Sequence, residues 1–327
     1  MSSQNTTNTS LLFIGHFAID NVIRFKRLSK PSLGGSVSFC SLALREYTKY
    51  VKISIISHVG IINFDKSLLN IINEKDIDLK GVKFSDVKNT NFVLDYNNHS
   101  RTLILKSKSP NLSFRDVPEE YLNNPPDIIV LVPLCDEISY EYVSQISNHY
   151  PNILFGLDLQ GFIRKIDDHG NITHRYDDNI TRNLEKIIDL LGDNLILKGS
   201  EEEMKLLANE YDDLDKVMMH FKKFGTDGIF IMTLGENGSL IYQKGKKLLK
   251  IPAFKPHRVV DETGAGDVYL SIFLYEYLNC DKSWDSIEKI GYLASAAASF
   301  VVEKKGTSGF VEKKKVLKRL DKKKYIT

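Results

Sequence analysis

A chain of 327 residues, 42% hydrophobic and 26% charged, is long for one core yet within the range of a single α/β domain. Forty-four basic and 42 acidic side chains leave a formal net charge of +2, which excludes a global electrostatic case for nucleic acid. No stretch approaches the roughly 18–20 apolar residues of a membrane span, and residues 1–10 have neither the basic nor the apolar region of a secretion signal.

The polar opening, 1–10, reads as a disordered leader. Apolar runs at 11–14, 52–57, 127–132, 153–157, 194–197 and 228–233 read as strands. Helical patterns occupy 36–47, 65–74, 138–148, 201–209 and 214–224. Their alternation predicts a mostly parallel sheet with helices on both faces. Segments 21–28 and 91–106 break it and read as extended, the second with a turn cluster, Asn97-Asn98-His99-Ser100, between two apolar runs: a hairpin signal. Another apolar helical pattern begins at Val268 and continues through Leu270, Ile272, Phe273 and Leu274. The closing segment, 313–327, carries Lys313, Lys314, Lys315, Lys318, Arg319 and Lys322–Lys324. Val316, Leu317 and Leu320 recur among them at helical spacing, so the run reads as a solvated helix face rather than a nucleic-acid or lipid patch. Cys40, Cys135 and Cys280 lie far apart without metal-ligand spacing, a sparse count that suits a reducing cytoplasm.

The run Asp261-Glu262-Thr263-Gly264-Ala265-Gly266-Asp267 is where chemistry concentrates. Small residues there let backbone N–H groups converge, and the helix that follows adds the positive end of its dipole, making a cradle for developing negative charge. Asp267 at its rim could take a proton from a hydroxyl. The same letters also make an ordinary capped turn. Neither a G-x-x-x-x-G-K-[ST] loop nor a strand–G-x-G-x-x-G–helix fingerprint is present, so a nucleotide would need this cradle.

Four motifs in order extend the pattern: Gly15-His16-Phe17-Ala18-Ile19-Asp20, Leu33-Gly34-Gly35-Ser36-Val37-Ser38-Phe39, Thr233-Leu234-Gly235-Glu236-Asn237-Gly238 and the signature run. Together they resemble the ribokinase-like carbohydrate kinase family over residues from about 11 to 310. The resemblance implies a ribokinase-like α/β fold over 11–312, with a small β lid made by segments near 21–33 and 89–108. It implies transfer of a phosphoryl group from ATP, with Mg²⁺, to a hydroxyl of a small sugar or polyol. Asp267 would be the base, and Gly264, Ala265 and Gly266 the anion hole. Asp20, Gly34 and Gly35 would hold the acceptor. Thr233, Gly235, Gly238 and Ala297, within the small-residue run 294–298, would flank the nucleotide. Asp261 either shapes its loop as a solvated acid or helps to hold a monovalent cation. Lids of this kind pair between subunits, which makes a homodimer the expectation.

Phe39 stands near the place where ribose-binding relatives carry Asn, which argues against ribose and fructose 6-phosphate as acceptors. The string Asp158–Arg164 follows a strand at its C-terminal end, where Gln160 can read hydroxyls and Arg164 can neutralise phosphate oxygens. With the Phe-containing double-glycine element, it is similar to inositol-kinase-like members. Ser200-Glu201-Glu202-Glu203 stands where the family has Asn-x-x-Glu, which organises the waters of Mg²⁺; the same letters are a capping box, and Glu203 can serve both. His257, before the signature loop, is either a solvated histidine or part of the nucleotide edge. The rival readings are a nucleoside kinase with Phe39 as stacking surface and a non-catalytic sugar-binding regulator. A third is a kinase of phosphorylated sugars, using Arg24, Lys26, Arg27 and Arg101.

Overall fold

In the computed structural model, which describes residues 9–24, 27–97 and 100–326, nine strands form one sheet. Its order is Leu249–Ile251, Ser239–Gln243, Ile229–Thr233, Leu195–Ser200, Leu154–Asp158, Ile128–Leu131, Thr9–Ile14, Val51–Gly60 and Asp78–Ser85. Only the pairings of Ser239–Gln243 are antiparallel; the rest are parallel. The inner strands are mostly apolar, and Ile128–Leu131 is wholly buried, because helices cover both faces. Alternation along Thr9–Ile14 sends Leu11 and Phe13 to one core and Leu12 and Ile14 to the other. Ser36–Tyr47, Ala265–Leu278 and Trp284–Val301 pack on the first face; Tyr140–His149, Asp178–Leu191 and Glu201–Ala208 pack on the second.

From Thr9–Ile14 the chain builds outward to Val51–Gly60 and Asp78–Ser85, then crosses back to Ile128–Leu131 on the other side. The strand order reverses there, so a crevice opens at the C-terminal strand ends beside Ile14. A second, small sheet stands over it. Ala18–Arg24 pairs antiparallel with Arg27–Leu28 and Ser32–Gly34 and parallel with Asn91–Asn97, which pairs antiparallel with Ser100–Ser107. This lid is rooted by buried polar groups. Asn89 donates to the Phe17 carbonyl and accepts from Gly60 N–H, both at 3.1 Å. His16 Nδ1 meets Thr90 Oγ1 at 2.8 Å and Nε2 meets the Pro110 carbonyl at 3.0 Å. The carbonyl can only accept, so Nε2 carries the proton.

The expected strands and lid segments are present to within a few residues. Thr9 and Ser10, expected in the leader, already belong to the first strand; the rest of that leader lies outside the described residues, as do Lys26 and the hairpin turn residues 98 and 99. The side chains of Arg24, Arg27 and Arg101 lie outside them too, which leaves the basic cluster of the sugar-phosphate reading undescribed. The helix expected over 65–74 is a 3₁₀ turn, Lys66–Leu69, running into Asn70–Asn73. The basic segment is not a loose tail. Lys313–Lys322 is a helix docked on the first core by buried Val316, and Lys313 and Arg319 pair with Glu276 and Glu303. Among the described residues, no helix is long and apolar enough to cross a membrane.

Candidate active site

The signature loop enters the helix Ala265–Leu278 through Gly264, at φ 83°, a left-handed conformation that glycine adopts at little cost. A Cβ there would lie 2.1 Å from the Phe39 ring, so the turn can seat itself only directly on that ring. Gly266 is held as closely: a Cβ would lie 2.9 Å from Lys198 Nζ. An ammonium therefore stands beside the first-turn amides, adding a full positive charge to the partial one of the helix end.

Lys198 is buried and forms a 2.6 Å ion pair with buried Asp158. Burial alone would lower its pKa, but the Asp158, Glu203 and Asp267 carboxylates outweigh that and hold the ammonium above its ordinary value. The converse acts on Asp267. Burial first, and the Asp158 carboxylate second, push it up to about 6, against Lys198, the Ser36 hydroxyl and Arg164, which pull down. A carboxylate with its pKa near neutrality is suited to accept a proton and release it again.

Lys198, Asp267 and the Gly264–Gly266 turn line one cavity of about 520 Å³ beneath the lid. At its lid end Asp20, Gln160 and Arg164 face Phe92, Leu94 and Leu103 on the underside of the small sheet. Gly34 allows this placement, because a Cβ at 34 would lie 2.2 Å from Asp20 Oδ2. Gly35, at φ 92°, starts the helix Ser36–Tyr47 without a side-chain cap. Arg164 donates to the Leu134 carbonyl at 2.8 Å and lies over the Phe92 ring, 5.9 Å from its centre. With its amide turned to satisfy both partners, Gln160 accepts from the Arg164 guanidinium. The loop beside it is fixed by buried Glu137, which accepts from the Leu134 and Cys135 amides at 2.9 and 2.8 Å.

At the far end the cavity is walled by Thr233, Gly235 and Gly238, by Ala253, Phe254 and Val259, and by one face of the helix Trp284–Val301. Two sequence expectations need correction here. Ala297 does not face the cavity; it is buried toward Ala43, Tyr47 and Val268, and Ser295, Ala298 and Ser299 face it instead. Helical spacing turns Ala298 about 100° from Ala297, which the letters of an alanine run cannot distinguish. Phe39 borders the cavity but is 4% exposed, held between Gly264 and the edge of Phe310, so it has no open face on which a ring could stack. His257 lies outside the cavity lining, exposed, with its N–H donating to Glu303 at 2.8 Å.

Glu203 closes a complete capping box, Oε2 accepting from Ser200 N–H at 2.8 Å and Ser200 Oγ from Glu203 N–H at 3.3 Å. It also borders the cavity beside Glu202, so a hydrated Mg²⁺ fits the donor set present. Asp261 accepts from the Thr263 hydroxyl at 2.8 Å and lies behind the cavity lining. Sequence reasoning missed Lys198 and the partner role of Asp158. The signal was there: a lone lysine near the end of the otherwise apolar strand Leu195–Ser200, two residues before the cap.

A model of the pfkB family carbohydrate kinases matches residues 49–314. A nucleoside kinase of Methanocaldococcus jannaschii is 46% identical over 93 residues, 28% of this chain and 29% of that kinase, so the match spans less than a third of this relative. A 5-dehydro-2-deoxygluconokinase of Mesomycoplasma hyopneumoniae is 24% identical over 95% of this chain and 92% of its own length. The fructokinase of Vibrio cholerae O395, in its fructose, ADP and calcium ion bound form, superposes with a TM-score of 0.76 at 15% identity, covering 96% of this chain and 99% of that one. A pyrophosphate-dependent kinase in the ribokinase family, complexed with a pyrophosphate analog and myo-inositol, gives 0.70 at 18% identity, covering 90% and 96%. Likenesses of this size establish the ribokinase fold.

Proposed function

This chain belongs to the pfkB family of carbohydrate kinases and is a phosphotransferase with a sugar-type hydroxyl as acceptor, and on that premise we propose that it phosphorylates a small carbohydrate or polyol, myo-inositol among the candidates, with ATP as donor. The observation that carries the reading is one cavity with Asp267 and the Gly264–Gly266 turn at its centre, hydroxyl-reading groups at one end and a chamber with a mostly apolar wall at the other. In this mechanism Asp20 and Gln160 orient the acceptor under the lid, and Asp267 takes the hydroxyl proton. The amides of Gly264, Ala265 and Gly266, with Lys198 beside them, hold the charge of the moving phosphoryl group. Mg²⁺, held through water by Glu203 and Glu202, would neutralise further phosphate charge when bound. Asp261 is the candidate to hold a monovalent cation. An apolar donor end favours a nucleotide over pyrophosphate, which would leave Ala253, Phe254, Val259 and Ala298 facing an empty chamber.

A second reading, a nucleoside kinase, draws on the lid underside. Phe92, Leu94 and Leu103 give the acceptor end an apolar roof that a base could fill and a bare polyol would not. The test is ATP consumption with Mg²⁺ across sugars, polyols including myo-inositol, sugar acids and nucleosides, with Asp267→Asn as control. A selective acceptor lost in the variant is expected. Selectivity for a nucleoside would move the conclusion to the second reading, and turnover surviving in Asp267→Asn would overturn the mechanism. Pairing of two lids into a homodimer belongs to the same reading; a monomer by sedimentation at micromolar protein would refute it.

A further inference from the structure

The donor end of the cavity is completed by residues far from every recognised motif. Lys324–Ile326 lies antiparallel to the segment 253–255: Ile326 N–H donates to the Ala253 carbonyl and Lys255 N–H to the Lys324 carbonyl, both at 2.9 Å. Ile326 thereby joins Ala253 and Phe254 in the cavity lining. Tyr325 packs outward against Phe254 and Tyr292, with ring centres 5.0 and 6.2 Å apart, and so anchors the segment to the helix Trp284–Val301. In the last turn of the helix Lys313–Lys322, Arg319 donates to Ser299 Oγ at 2.9 Å and to Glu303 Oε1 at 2.7 Å, with its guanidinium 3.3 Å from the centre of the Phe300 ring. Ser299 lines the cavity. Glu303 Oε1 in turn accepts from His257 N–H, which fixes the loop carrying Pro256 and Val259 at the cavity mouth.

We propose that Arg319 and Ile326 set donor affinity, Ile326 as part of the wall against which the nucleotide base lies and Arg319 as the residue that positions Ser299 and the loop carrying Pro256 and Val259. This rests on the nucleotide reading of the donor. An apolar contact of this kind favours a flat, weakly hydrated ring and gives nothing to inorganic pyrophosphate. Ile326 stands at the donor end and Arg319 outside the cavity lining, so their effect falls on donor KM rather than on the chemical step.

The experiment measures KM for ATP, KM for the best acceptor and kcat for wild type, Ile326→Asp, Ile326→Val and Arg319→Gln in the full chain, with thermal midpoints and ADP titration calorimetry. An unpaired carboxylate in the wall should raise the ATP KM by about tenfold or more. Ile326→Val should return it to within about twofold of wild type, and Arg319→Gln should raise it by a smaller factor of about three. In each variant kcat and acceptor KM should stay within about twofold. An unchanged ATP KM in Ile326→Asp, or an equal rise in acceptor KM, would overturn the proposal. If Arg319→Gln fails to fold, the Ile326 pair decides alone. Wild type that consumes pyrophosphate but not ATP would overturn the nucleotide reading and this proposal together, whereas wild type active on ATP with an indifferent Ile326→Asp would overturn this proposal only.

Discussion

At the lid end of the cavity the inward groups are Asp20, within the lid strand Ala18–Arg24, and Gln160 and Arg164, just beyond the strand Leu154–Asp158, while the far end offers Ala253, Phe254, Val259, Ala298 and Ile326, drawn from loops, one helix face and the docked basic segment. On the proposed function the first end would read its ligand through a few directed polar bonds, and the second through shape. Polar reading discriminates sharply, because a wrong ligand leaves buried groups unpaired; shape reading tolerates exchange of one apolar residue for another. Between them lies the centre, where Asp158, Lys198 and Asp267 set charge against charge in little space.

The largest effect should come from the centre. Asp267→Asn removes the base and should cost about 10³–10⁴ in kcat while ADP affinity, measured by calorimetry, stays near wild type. A variant that also lost ADP would erase the separation between centre and donor end. Next comes Lys198→Met, which removes the charge beside the anion hole and should cost about 10² in kcat. It also removes a group that pulls the Asp267 pKa down. The base works only when ionised, so wild-type kcat/KM should fall as pH drops through about 6, and in Lys198→Met this acid limb should move to higher pH. A limb that stayed in place would mean that another group governs it. The smallest effect sharpens the acceptor end. Gly34→Ala should push the Asp20 carboxylate aside and raise acceptor KM by about tenfold, with ATP KM unchanged.

Legibility in the sequence follows the same division. The acceptor groups and the signature turn stand in short strings with unusual residues, glycine pairs and strand-end acids, so their letters carried the geometry. The helix Ser36–Tyr47 was readable to the residue for that reason. The helix Asp178–Leu191 was passed over although Thr181, Leu184, Ile187, Ile188 and Leu191 keep helical spacing behind an Asp177 cap, because its polar face hid the stripe. Asp78–Ser85 was missed as an edge strand with exposed lysine, whose alternation is weak. At the donor end nothing local marks a wall residue. Ile326 and Ser299 come to line one cavity through tertiary packing alone, and the Lys198–Asp158 pair joins two strands, its residues 40 apart in the chain.

The contact between Gly34 and Asp20 also bears on how the chain can change by descent. A side chain at 34 displaces the acid at 20 from its present position, and an Asp at 20 keeps that position only while 34 is bare. Each of the two positions thus sets which mutations at the other are harmless. Lineages that keep this acid in place are held to glycine at 34, and those that lose it are free to fill the space. Once it is filled, the acid cannot regain its place by a single step, so a change at 34 can make a change at 20 permanent.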